Sequence, residues 1–344
     1  MLIKAKDISN FRIYTLFKFL KLPVINFIML FMVVASTRSF SQVSYPDRPI
    51  KLLVPLAAGG GGDLVARQLA RALAPVIGQP VFVENRPGAN GIIGSQLGAN
   101  AAPDGYTIML GSLGTHTVNE SLYAKLPYSP SRDFIPVTLI ATYNNVLVVP
   151  QSSQIKNLAD LILKAKQNPG KLNYGITVIG NSSHLATEKF KSDAGIDVVG
   201  IPYDSTAKAI IDLNGGRLDF LIDTELTQHG SISSGKVRAL VSTAAIRSPH
   251  YPDLLTLVES GFPNSDAVGW LGLFVQTGTP QNIIDKIFVA IQKTYQSPEV
   301  IKLKLSTPGL DLVNSKSQKE FADYVASERI RWAGVISTAK IKVD

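Results

Sequence analysis

Apolar residues along this chain follow two alternating rhythms. Short, nearly unbroken runs read as buried strands: Ile50–Val54, Val81–Glu84, Tyr106–Leu110, Val146–Val149, Val198–Ile201, Leu218–Ile222, Ala239–Ser242 and Leu271–Val275. Between them apolar positions recur at helical spacing, as in Val65, Leu69, Leu73 and Val76. The same spacing predicts helices over Asn157–Gln167 (Leu158, Leu161, Ile162, Ala165), Asn282–Gln296 (Ile283, Ile284, Ile287, Phe288, Ile291) and Ser317–Val335, whose stripe starts at Phe321, Tyr324 and Val325. Gly and Pro punctuate the joins at Pro103-Asp104-Gly105, Pro169-Gly170, Gly215-Gly216, Gly261-Phe262-Pro263 and Pro308-Gly309. Strands alternating with amphipathic helices predict an α/β fold on mostly parallel sheet.

The first forty-one residues break that rhythm. Lys4, Lys6, Arg12, Lys18 and Lys21 form a basic stretch, and Val24 to Ala35 is an apolar core too short for a membrane span. Ser39-Phe40-Ser41 puts small residues where a signal peptidase reads, so residues 1–41 are expected to be a signal peptide cleaved before Gln42, with a retained membrane anchor as the alternative. Its removal changes the charge picture. Residues 1–41 carry six basic side chains against Asp7, so they hold +5 of the chain's +8. A remainder near +3 gives no basic footprint for nucleic acid. The absence of cysteine suits an exported chain that uses no disulfides and excludes thiol chemistry.

The stretch Pro55-Leu56-Ala57-Ala58-Gly59-Gly60-Gly61-Gly62-Asp63 lies between a predicted strand and a predicted helix. A turn of this kind leaves backbone N–H groups pointing past the helix end, with the positive end of the helix dipole behind them. The pattern favours an anion; glycines chosen only for positive φ are the alternative. It is not a phosphate loop, because Gly62 is followed by Asp63 rather than Lys-Ser/Thr. Nor is it a dinucleotide fingerprint, because Leu64 and Val65 stand where the third glycine belongs. A small carboxylate fits better than a polyphosphate, which Asp63 would repel.

Three further turns follow strands. Gly111-Ser112-Leu113-Gly114-Thr115 is one, and Gly180-Asn181-Ser182-Ser183-His184 another, with Ser182 or Ser183 as the expected N-cap. Pro202-Tyr203-Asp204-Ser205-Thr206 leads into Ala207–Leu213. Each is ordinary helix capping taken singly. Together, at the carboxyl ends of strands where open α/β sheets bind ligands, they suggest one shared anion site.

Catalytic patterns are missing. Ser112 sits in Gly-Ser-Leu-Gly rather than in a Gly-x-Ser-x-Gly elbow. The four histidines, His116, His184, His229 and His250, show no metal-ligand spacing, and His184 reads as capping or packing at a helix start. No enzyme activity, cofactor or metal is expected.

These residues resemble, in order and spacing, the Bug family of periplasmic solute-binding receptors of tripartite tricarboxylate transporters. The resemblance runs through Tyr45-Pro46-Asp47-Arg48-Pro49-Ile50, the Pro55–Asp63 loop, Val83-Glu84-Asn85-Arg86-Pro87-Gly88-Ala89 and Ala102-Pro103-Asp104-Gly105-Tyr106-Thr107. It continues in Leu126-Pro127-Tyr128, Asn168-Pro169-Gly170-Lys171-Leu172-Asn173-Tyr174-Gly175, Ser182-Ser183-His184-Leu185, Pro202-Tyr203, Arg247-Ser248-Pro249 and Gly278-Thr279-Pro280.

The resemblance implies a two-lobed periplasmic binding protein fold of the second type, with a mostly parallel sheet in each lobe. Residues 45–144 with 270–344 would form one lobe and 145–269 the other, crossing near Asn144-Asn145 and Trp270-Leu271. It implies a periplasmic monomer that closes over a small carboxylate and hands it to transporter membrane subunits; a receptor feeding a signalling system is the alternative. Ala57, Ala58, Gly59, Gly60, Gly61, Gly62 and Asp63 would form the first wall, with Ser112 and Thr115 beside them. Gly180, Asn181, Ser182 and Ser183 would face them, with Tyr203, Asp204 and Ser205 nearby. Asp223 matches an aspartate that looks into the cleft and would take an ammonium or hydroxyl, or else brace a loop. The chain departs from the family where Gly62 stands for Thr or Ser and Leu56-Ala57 for Phe-Pro. It departs again where Asp204-Ser205 stands for Lys-Gly and Thr224-Glu225-Leu226 for the Asn and Pro that follow the aspartate. These changes count against a strongly multi-anionic ligand.

Overall fold

A computed structural model describes residues 45–341 and Val343, so the expected signal peptide lies outside the described residues. The chain divides into a unit Met1–Asp47 and a unit Arg48–Asp344, and all elements below belong to the second. Its strands are β1 Ile50–Val54, β2 Val81–Asn85, β3 Thr107–Ser112, β4 Phe134–Tyr143, β5 Asn145–Pro150, β6 Asn173–Ile176, β7 Val199–Pro202, β8 Leu221–Thr224, β9 Val237–Ser242, β10 Gly269–Gln276 and β11 Leu310–Asp311. The helices longer than one turn are α1 Gly61–Ile77, α2 Ile92–Ala99, α3 Leu158–Gln167, α4 Ser182–Ala194, α5 Thr206–Asn214, α6 Glu225–Ser233, α7 Gln281–Thr294, α8 Pro298–Ser306 and α9 Gln318–Ala339. No described helix is long and apolar enough to cross a membrane.

Three sheets result. One has six strands in the order β11-β4-β10-β3-β1-β2, one has three in the order β8-β5-β9, and β6-β7 form a pair. The expectation of mostly parallel sheets is corrected. β1 runs parallel to β2 and β3, but β10 is antiparallel to both β3 and β4, and the β8-β5-β9 sheet is antiparallel throughout. The cause is the path of the chain. It leaves the large sheet along β4, passes through Asn144 into β5, and re-enters along β10. Adjacent outgoing and returning strands must run in opposite directions.

Strand β4 does not appear among the sequence-predicted elements, because Pro136 interrupts its apolar run and proline demotes a strand. The sheet accommodates it: Pro136 pairs with Phe274, and β10 shows a register shift between Leu273 and Phe274. All eight residues of β10 are buried, and Trp270, Phe274 and Phe321 pack as a ring cluster with centroids 5.3–6.4 Å apart. A Cβ at Gly269 would fall 2.0 Å from the Tyr143 ring, so a larger residue there requires that ring to move.

Helix α1 buries Val65, Ala66, Leu69, Ala70 and Leu73, whereas Val76 emerges at the surface as the helix ends. Gly78 closes it in the left-handed region at φ 82°, its N–H bonded to Ala74 O at 3.0 Å.

Candidate functional site

The loops at the carboxyl ends of β1, β3, β6 and β8 converge on one cavity of about 320 Å3. Gly61 and Gly62 of α1, Ser112 and Gly114 after β3, Asn181 and Ser182 at the start of α4, Thr206 of α5, and Asp223 of β8 all line it. Thr224, the N-cap of α6, and Leu226 and Thr227 in its first turn line it as well, so the N-terminal residues of four helices, α1, α4, α5 and α6, border this space, the placement that favours a negative group.

The glycine turn is built by Asp63. Its carboxylate is 3% exposed and accepts from the Gly59 amide at 2.8 Å, Arg67 Nε at 2.9 Å and Asn85 Nδ2 at 2.9 Å. Burial alone would raise its pKa; the bonds to Arg67, Gly59 and Asn85 outweigh it and hold Asp63 below the ordinary value. Asp63 thus braces the loop from behind and does not line the cavity. Gly60 caps α1 with an extended backbone and no side chain, so the first-turn amides of Gly61 and Gly62 lack intrahelical acceptors.

Beyond β3 the backbone forms a wide π-turn over Gly114–Val118. Thr115 is fully buried and spends its hydroxyl locally, on the Ser112 amide at 3.0 Å and His116 Nδ1 at 2.9 Å. Ser112 reaches the cavity; Thr115 does not. His116 stacks on Phe274 at 3.9 Å and meets Phe134 edge-on at 4.9 Å. Desolvation, with Arg329 nearby, pushes its pKa down to about 3, so the imidazole is neutral.

The N-cap of α4 is Asn181, not Ser182 or Ser183: its Oδ1 accepts from the His184 amide at 2.8 Å. Asparagine is as good a cap as serine and stands one position earlier. His184 folds back so that Nδ1 accepts from the Gly180 amide at 3.1 Å, a packing role. Ser182 donates to Asn145 Oδ1 at 3.1 Å. Ser183 is buried beneath the helix and does not line the cavity.

Before α5, Ser205 Oγ accepts from the Lys208 amide, Asp204 pairs with Lys208 at the surface, and the Tyr203 hydroxyl donates to Asp212. These three residues shape the turn; Thr206 reaches the cavity. Asp223 is 3% exposed, and its oxygens accept from the Thr224 amide at 2.8 Å and from Gln228 Nε2 at 3.2 Å. Desolvation pushes its pKa up to about 6, because both partners are neutral.

Of the residues singled out from sequence, Gly61, Gly62, Ser112, Asn181, Ser182 and Asp223 line the cavity; Ala57, Ala58, Gly59, Gly60, Gly180 and the residues noted above do not. The cavity adds several that sequence reasoning did not raise. Asn90 follows β2 in a turn where Ala89 and Asn90 both take positive φ, 45° and 53°. Its Nδ2 donates to Asn119 Oδ1 at 2.9 Å and to Ile179 O at 3.3 Å. The signal was the breaker run Pro87-Gly88-Ala89-Asn90-Gly91 after a strand. Tyr143, Leu56, Leu226, Leu271 and Leu310 supply much of the remaining wall.

Comparison with known proteins agrees with this geometry. The sequence profile of the tripartite tricarboxylate transporter family receptor matches residues 65–341. The UPF0065 protein in the tcbD-tcbE intergenic region of Pseudomonas sp. (strain P51) is 37% identical over 318 residues, 92% of this chain and 94% of that protein. Protein BugT of Bordetella pertussis is 34% identical over 88% of this chain and 93% of its own length. Among solved structures, R. palustris Rpa4515 with adipate superposes with a TM-score of 0.77 at 32% identity, over 87% of this chain and 100% of that one.

Proposed function

Because the chain belongs to the tripartite tricarboxylate transporter receptor family, the Bug receptors, we propose that it captures a small carboxylate in this cavity and delivers it to the membrane subunits of such a transporter. Its fold is that of the family's periplasmic binding proteins, and the family is one of receptors rather than of enzymes. The observation that carries the reading is the convergence of four helix N-termini on a cavity lined by no lysine, arginine or histidine among the described residues. An anion held there is held by amides and hydroxyls.

The magnitudes make closure part of the mechanism. One helix end contributes about 0.3–1 kcal/mol to an exposed anion and up to ~2 kcal/mol when partly buried. Micromolar affinity needs about 8 kcal/mol. Four dipoles fall short, so charge-assisted hydrogen bonds in a space shut off from water supply the rest. In this reading residues 48–144 with 270–344 form one lobe and 145–269 the other. The Asn90–Ile179 bond and the approach of Leu226 to Gly61 are contacts of the closed form. The adipate held by the R. palustris relative supports a carboxylate as the class of ligand.

The test is a melting-temperature screen of mono- and dicarboxylates. A ligand at 100 times its Kd should stabilise the protein by about 2.7 kcal/mol. A screen in which no carboxylate raises the melting temperature contradicts the proposal.

A further inference from the structure

Three observations concern which carboxylate fits, and they rest on the reading just given. The first is charge. Among the described residues lining the cavity, Asp223 is the only charged side chain, and it is an acid. A second ligand carboxylate would be desolvated with no cation to meet it, beside a buried carboxyl group.

The second is the Leu56–Gly62 pair. The Leu56 side chain folds over Gly62 so closely that a Cβ at position 62 would collide with its Cδ1, and Leu271 Cδ2 closes the same spot at 4.0 Å. A Cβ at position 61 would stand 3.5 Å from Leu226 Cδ2. Beside the two free amides the wall is therefore hydrocarbon, and no hydroxyl from position 62 reaches the ligand.

The third is the spare capacity of Asp223. Its two oxygens hold one backbone amide and one glutamine amide, and a carboxyl group offers about four acceptor sites. The remaining ones suit a donor on the ligand.

We infer that the ligand is a monocarboxylic acid with an apolar body and a hydroxyl or ammonium donor for Asp223, rather than a di- or tricarboxylate. The acid group meets the Gly61, Gly62 and Ser182 amides, the leucine wall covers the body, and the donor ends on Asp223.

Titration calorimetry on the purified protein with two matched series tests this: benzoate, 4-hydroxybenzoate and terephthalate; hexanoate, 6-hydroxyhexanoate and adipate. In whichever series binds, the hydroxy acid should bind at least tenfold tighter than the diacid. Asp223→Asn, which keeps the shape and removes the charge, should narrow that ratio below threefold. The double variant L56A/G62T, which exchanges the apolar wall for a hydroxyl, should move the diacid upward; the melting temperature of each variant shows whether it is folded. A diacid equal to or tighter than its hydroxy partner overturns the inference while leaving the carboxylate receptor in place. No heat and no melting shift from any of the six overturns both.

Discussion

Ser182 Oγ donates to Asn145 Oδ1 at 3.1 Å, and the same carboxamide donates from Nδ2 to Ala267 O, also at 3.1 Å. Asn145 lies at the first passage between sheets and Ala267 just before the second, so one fully buried side chain joins both passages to the helix start that lines the cavity. Its neighbour Asn144 bonds through its backbone to Gly309 O at 3.1 Å and to the Glu225 amide at 2.9 Å. The two passages and the site are thereby joined through a few hydrogen bonds.

Replacing Asn145 with alanine tests that link. Buried partners left unsatisfied cost about 1–3 kcal/mol each. Urea unfolding of Asn145→Ala should show a loss of at least about 1 kcal/mol, and ligand affinity should fall with it. Wild-type affinity in this variant would separate the passages from the site.

Gly61 offers a sharper probe of the first wall. A Cβ there would make an ordinary contact, 3.5 Å from Leu226 Cδ2, so the fold tolerates it while a larger side chain fills the cavity. Gly61→Val should keep stability within about 0.5 kcal/mol, as surface substitutions do, and weaken binding more than tenfold. Unchanged affinity by calorimetry would remove the glycine turn from the site.

Asp63 and Asp223 respond to pH in opposite senses. Asp63 sits below its ordinary pKa of 3.8, so its contribution is present at neutral pH and lost as pH falls below that value. Asp63→Ala should therefore lower stability at pH 7 by about 1–3 kcal/mol, and loosen the loop that positions Gly61 and Gly62. Equal stability of variant and wild type at pH 7 would contradict the brace.

Asp223 is raised from 3.8 to about 6, so the folded state favours its protonated form. Its stabilisation is full below pH 3.8 and is lost as pH rises through about 6. That interval corresponds to about 3 kcal/mol. In urea unfolding, Asp223→Asn should gain stability over wild type as pH rises from about 4 to about 6 and keep that margin above it; a difference independent of pH across that interval would contradict the assignment.

Much of this was legible in the chain. Unbroken apolar runs gave β1 and β5, and helical spacing gave α1, α3, α7 and α9, because burial on one face or two leaves a periodic trace. β4 escaped through Pro136, and the antiparallel return of β10 is a property of the chain path that local pattern does not encode. In the site, Gly61, Ser112 and Asn181 were legible as strand-end turns. Asp63, Thr115 and Ser183 were not separable from them, since a polar residue in a turn can face the ligand or brace the turn, and only tertiary packing decides. Leu56 was visible only as a departure from the family pattern, and Tyr143 and Leu310 were invisible as site residues because an apolar wall has no motif.

The most direct measurement is a crystal structure of the protein with the small molecule that copurifies with it, identified by mass spectrometry. That molecule's carboxylate should lie between the amides of Gly61 and Gly62 on one side and the Asn181–Ser182 turn on the other. A carboxylate bound elsewhere, or a ligand with no acid group, would contradict it.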